Sequence, residues 1–256
     1  MEKNLPFVSL SLADKGYNKF IIPFLGKLDD GNVFKTIVNL LFTVLSFALL
    51  LGGVYLSITG LFGDSGFIKQ YISSDYLSGG QKAGAVVGMI LGFAISILTA
   101  WALFSVLKKR SEKMRATEFD GLISFVFIKT IPNIILIVGE LLFVLVLHAG
   151  ILQIIAALLG SYVYVPLSEY PEGLLSIFPG MDLFSGIVPR EIAGDYDYFG
   201  ETIKVGIGAV AGSFIVLVGF YVYKEIYNYR VKLATNLIAF LPKFALPLAI
   251  RTRKED

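Results

Sequence analysis

Cysteine is absent from the 256 residues. Its absence excludes a disulfide framework, a thiolate nucleophile and any Cys-ligated metal. Histidine occurs once, at His148, so no multi-His metal site can be assembled within a single chain. Charge is scarce too: 16% of residues are charged, against about 25% in ordinary soluble domains. With 55% hydrophobic residues and a mean hydropathy of +0.74, the chain has too little polar surface to coat a water-soluble globule. Lipid has to be part of its solvent.

The motifs of soluble catalysis and of nucleic-acid binding are missing as well. There is no HExxH and no GxSxG, and no spanning run carries an Asp for a paired-aspartate protease. The Gly-rich runs lack a following Lys-Ser or Lys-Thr, so they are not phosphate loops. GIGAVAG at 206–212 has the wrong spacing for a dinucleotide fingerprint and lies in a spanning segment. No cofactor and no metal is implied, and no nucleic-acid partner.

What the sequence does contain is a set of long apolar runs. The first is 33–62, in which Ser46, Gly53 and Gly60 recur every seventh residue and keep one face small. The second is 83–107, where Gly84, Gly88, Gly92, Ser96 and Ala100 fall at four-residue intervals. Each such step advances about 400°, so the row drifts only about 40° per step and makes one smooth stripe. Small side chains there let a second backbone approach closely; a packing seam is the expected use, and a glycine-lined pore the sharper alternative.

Lys108, Lys109, Arg110, Lys113 and Arg115 follow at once and read as a cytoplasmic anchor, with a lipid-phosphate or nucleic-acid patch as the alternative. The third apolar region runs over 122–159, about 57 Å as one helix and nearly twice a hydrocarbon core. Pro132 is the natural break, which predicts an interfacial helix over 122–131 and a span over 133–159. The fourth run, 202–223, carries Gly208 and Gly212 as a further small-xxx-small pair, with Tyr221, Tyr223, Tyr227 and Tyr229 where it should leave the bilayer. Past it, 235–250 is short, contains Pro242 and Pro247, and reads as an interfacial or re-entrant segment.

The connectors differ sharply in charge. The stretch 160–200 holds Glu169, Glu172, Asp182, Glu191, Asp195 and Asp197 against Arg190, and prolines 166, 171, 179 and 189 preclude one continuous helix. An ordered acidic cap is expected there. The N-terminal 1–32 lacks the apolar core of a signal peptide and reads as a headgroup-level segment or a tail. Of the 22 Lys and Arg, only Lys69, Lys82, Arg190 and Lys204 fall on the side of the two outer connectors. That bias predicts both termini in the cytoplasm.

The third spanning run carries two ionisable groups well inside its apolar stretch, Glu140 and His148. A carboxylate at the centre of a spanning helix costs about 2.5–3.5 kcal/mol on insertion scales, so it needs a partner, a proton or a wet cavity. At 100° per residue from Lys129, Asn133 lies at about 40°, Glu140 at about 20°, His148 at about 100° and Gln153 at about 240°. Asn133, Glu140 and His148 are therefore the candidate cation- or proton-binding residues. About 12 Å separates Glu140 from His148 along a straight helix, so no acid–base dyad is implied. Thr43, Ser46 and Thr99 are candidate hydrogen-bond partners on the other spans.

The sequence thus predicts an all-α polytopic membrane protein, one membrane domain over 1–256, with four transmembrane helices plus short interfacial helices. Gly84, Gly88, Gly92, Ser96, Gly208 and Gly212 are its helix-packing positions. The functional expectation is a non-catalytic subunit or assembly component of a larger membrane complex, in a plasma (bacterial inner) membrane. Its partners would be the lipid bilayer and other membrane subunits or a second copy of itself. An oligomeric channel or proton- or cation-coupled protein using Glu140 is the first alternative, and a membrane-embedded lipid-modifying enzyme the second.

Overall fold

The computed structural model describes residues 17–23, 32–63, 66–73, 77–116, 124–166, 192–194 and 197–251, with single residues 15, 26, 75 and 187; side chains at 32, 124 and 238–251 are not described. About nine tenths of it is helical, and no strand occurs among the described residues. Four long helices dominate: α1 (Asn32–Phe62), α2 (Gly79–Ala116), α3 (Ile131–Leu159) and α4 (Phe199–Arg251). All four contain stretches long and apolar enough to cross a membrane, as a multi-pass membrane protein requires. Short π-helical segments at Ile68–Ile72 and Ser124–Thr130 precede α2 and α3. The expected acidic cap falls almost wholly outside the described residues, as do 1–14.

Each helix packs on its neighbour in sequence, most extensively α3 on α4, then α1 on α2, then α2 on α3. The central position of α3 shows in its burial. In its most apolar stretch 61% of residues are buried, against 11% in α1. Leu142, Val146, Val216 and Phe220 form the α3–α4 core, while Leu103 and Leu145 join α2 to α3 with Leu49 and Leu56 of α1 packed against them.

Three boundaries differ from the expectations. α2 does not stop at 107 but continues through the basic residues to Ala116. A charged run sets membrane depth without ending a helix, because its backbone hydrogen bonds are internal. α4 likewise continues through Pro242 and Pro247 as one helix of 53 residues, about 80 Å long and far beyond any hydrocarbon core. Each proline removes one donor without ending the helix here. Pro132 does not break the helix either: the π-helical turn Ser124–Thr130 runs directly into α3, so 125–159 is one continuous helical stretch and the expected separation of an interfacial helix from the span does not occur.

The glycine stripe of α2 receives an extended backbone instead of a helix. α3 ends at Gly160, whose left-handed φ of 53° lets its N–H reach back to the last turn. The chain from Ser161 to Tyr164 then lies along α2: Leu159 and Ser161 over Gly84, Tyr162 and Val163 over Gly88, the Tyr164 backbone over Gly92. Ser161 Oγ donates to the Gln81 carbonyl at 2.7 Å, and Gly194 N–H donates to the Ser161 carbonyl at 3.0 Å. The Tyr164 hydroxyl crosses to α1, where the carbonyls of Ser57 and Leu56 accept at 2.9 and 3.1 Å. Tyr71 stacks on Tyr162 with ring centroids 4.4 Å apart, and Phe67 meets Tyr164 edge-on at 5.7 Å.

Further along the stripe, Ser96 is fully buried and Ala100 packs against Gly53 of α1. On α4, Gly208 has nothing within 4 Å of where a Cβ would stand, and Gly212 meets Ile187 of the connector between α3 and α4. The helix-to-helix contact runs instead through Gly206 against Gly150 and Ile154 of α3, and through Gly139 under Phe220.

A Cβ at Gly88 would lie 2.6 Å from the Tyr162 carbonyl oxygen, whereas one at Gly208 meets open space. Gly88→Ala is therefore expected to cost about 1–3 kcal/mol by overpacking. Gly208→Ala should be neutral or stabilising by up to about 1 kcal/mol through helix propensity. Thermal denaturation of the two variants in mild detergent checks the contrast.

Candidate functional site

Glu140 has a partner within the chain. Because α2 continues past 107, Arg110 projects towards α3, where its Nε donates to Glu140 Oε2 at 3.0 Å and its Nη2 donates to Oε1. The pairing is bidentate, a geometry in which a planar guanidinium matches a carboxylate. Both side chains are largely shielded, 12% exposed for Arg110 and 21% for Glu140. Tyr221 of α4 lies beside the guanidinium.

The depth of this pair follows from the helices around it. At the opposite end, Tyr164 covers Gly60 of α1 and Gly92 of α2, which places those glycines at one level. From Gly92 to Arg110 is about 27 Å along α2, and from Asn39 to Gly60 about 31 Å along α1. Ser111, next to Arg110, donates to Asn39 Oδ1 and lies 3.4 Å from Thr43 Oγ1, so Asn39 and Arg110 share the other level. A hydrocarbon slab of about 30 Å fits between the two levels. The pair therefore stands at the basic end of the helices, just past the apolar run 83–107 and about one turn short of Lys113 and Lys224, and not midway along them.

The remaining candidates are placed separately. His148 is buried, at 2% exposure, and its Nδ1 lies 2.8 Å from Thr99 Oγ1 of α2. Its Nε2 and the buried Ser96 Oγ have no hydrogen-bond partner among the described residues. Asn133 donates its side-chain amide to the Lys129 carbonyl of its own helical stretch at 2.8 Å. Gln153, set apart by helical geometry, faces the other way and donates to the Ala193 carbonyl at 3.1 Å. Of the partners foreseen for Glu140, Thr43 meets Ser111, Ser46 donates to the Thr43 carbonyl, and Thr99 meets His148.

The sequence reading missed Arg110 as the carboxylate's partner because it assigned the whole basic run to headgroups. The readable signal was charge complementarity: one carboxylate in an apolar helix, and an arginine one turn from the end of the preceding span. Chemically, the bidentate pair occupies both carboxylate oxygens and joins α2 to α3. Among the described residues no group of three or more His, Asp or Glu is arranged to hold a metal. Comparison with protein-family models, curated proteins and solved structures returns no match for this chain.

Removing one member of a shielded ion pair leaves the other charge unpaired, a loss of about 3–5 kcal/mol for deeply buried pairs and towards the lower end at a membrane boundary. Arg110→Leu and Glu140→Leu are each expected to lower stability by about 3 kcal/mol. The double variant should be more stable than either single one. A double-mutant cycle measured by denaturation in detergent tests this, and additive losses would show that the pair carries no coupling.

Proposed function

We propose that this chain is a non-catalytic integral membrane subunit or assembly component that works by packing against other membrane-embedded chains. The observation that carries the reading is the Arg110–Glu140 pair. A spanning carboxylate is by default a functional candidate, but here both oxygens are engaged by a guanidinium of the same chain. Its charge is spent on fixing α2 against α3. The rigid unit so formed presents apolar outer faces on α1 and α4, with Leu40, Leu41, Ile215, Val218 and Val222 exposed and Gly208 open among them. Faces of this kind suit lipid and the helices of other subunits or of a second copy. The uneven distribution of Lys and Arg favours cytoplasmic termini, and a plasma (bacterial inner) membrane fits that orientation.

A second reading, an ion-coupled or channel protein, has one observation in its favour. Among the described residues, His148 Nε2 and Ser96 Oγ are both buried without a hydrogen-bond partner, as groups serving a proton path between helices would be.

Photo-crosslinkers placed at Leu41, Ile215 and Val222 in native membranes separate these possibilities. The subunit reading expects discrete adducts with another membrane chain or with a second copy. A chain that stays monomeric at all three positions in membranes and in mild detergent overturns it. In reconstituted vesicles the same reading expects proton and cation leak no faster than in protein-free vesicles. Flux that depends on Glu140 or His148 would establish the second reading instead.

A further inference from the structure

Beside the Arg110–Glu140 pair, the outward face of α2 forms a groove of about 630 Å³ with two chemically distinct ends. One end is apolar, made by Trp101, Ala102 and Val106; the other carries Lys109, Arg110 and Lys113. Trp101, Lys109 and Lys113 lie on a four-residue ladder along one helix face, so the groove is about 18 Å long and runs along α2 from headgroup level towards the acyl region. Glu140 holds Arg110 at the wall of the groove, and the two lysines add positive charge to that paired unit.

We propose that this groove is a binding site for one anionic phospholipid. The phosphate accepts hydrogen bonds from Lys109 and Lys113 at the membrane boundary, and an acyl chain lies along Val106, Ala102 and Trp101. Charge complementarity and depth select this occupant. The basic end stands at the boundary of the hydrocarbon slab, where lipid phosphates lie, and the apolar end reaches the depth of their chains. Each base near an anionic surface strengthens lipid binding, and a site that also seats a chain adds selectivity for position. This site does not depend on whether the chain assembles with other subunits.

Trp101 is the sole tryptophan of the chain, so its fluorescence reports on this groove alone. The full-length protein is reconstituted in phosphatidylcholine vesicles containing, at equal mole fraction, either phosphatidylglycerol or phosphatidylcholine with brominated acyl chains. The expected result is a relative association constant at Trp101 about tenfold higher for the brominated phosphatidylglycerol. Lys109→Gln with Lys113→Gln should abolish this preference. Lys108→Gln, whose lysine pairs with Glu112 away from the groove, should preserve it. Inorganic phosphate should leave it unchanged relative to chloride at equal ionic strength. Equal quenching by the two lipids overturns the proposal, as does an equal loss on Lys108→Gln. Selective displacement by inorganic phosphate assigns the basic end to a soluble anion and overturns the lipid assignment too.

Discussion

A charge placed among apolar helices must be neutralised where it stands, and the Arg110–Glu140 pair meets that requirement. It fixes three things together. α2 has to remain helical past the apolar run 83–107 so that Arg110 can face α3. The two helices are held in one register, with Thr99 reaching His148 deeper in the array. The neighbouring Ser111 then meets Asn39 and Thr43 on α1, which brings the outermost helix to the same level. An ion pair contributes little net stability once desolvation is counted, but it penalises any arrangement that separates its members. Its role here is to exclude other registers more than to add energy.

At the opposite end the constraint is hydrogen bonding by the backbone. The chain leaving α3 runs extended over α2, and extended backbone near a membrane is tolerated only where protein covers it. Gly84, Gly88 and Gly92 let it sink against α2 without a Cβ in the way. Its polar groups are then taken up piecewise, Ser161 by Gln81 and Gly194, and the Tyr164 hydroxyl by carbonyls of α1. The stripe and the extended segment explain each other: side chains on the stripe would leave no room for the segment.

The sequence showed the spans because an apolar run of some twenty residues has few other uses. It also showed that the 84–100 stripe meets a close neighbour. A stripe, however, encodes only closeness and not the conformation of what approaches, so an extended segment and a helix read alike. The same limit applies on α4. Spacing drew attention to Gly208 and Gly212, while the close contact uses Gly206 on α4 with Gly150 and Gly139 on α3, which no four- or seven-residue period reveals. Glu140 was legible as a residue in need of a partner. Arg110 was not legible as that partner, because basic residues at a span's end serve equally as headgroup anchors and as counter-ions. Only the continued helix decides between the two.

Polar groups in this array are sorted by depth, and the sorting follows cost. Full charges pair at the basic boundary, where headgroups and water soften the penalty of burial. Further in, uncharged hydroxyls return to carbonyls of their own helix, Ser57 to Gly53 and Ser213 to Val210, each at 2.7 Å. Such bonds satisfy a hydroxyl without tying it to another helix. Thr99 and His148 depart from that rule by joining α2 to α3 across the interior. An imidazole has two nitrogens to satisfy, and Thr99 serves one of them. The second nitrogen, Nε2, is buried without a hydrogen-bond partner among the described residues.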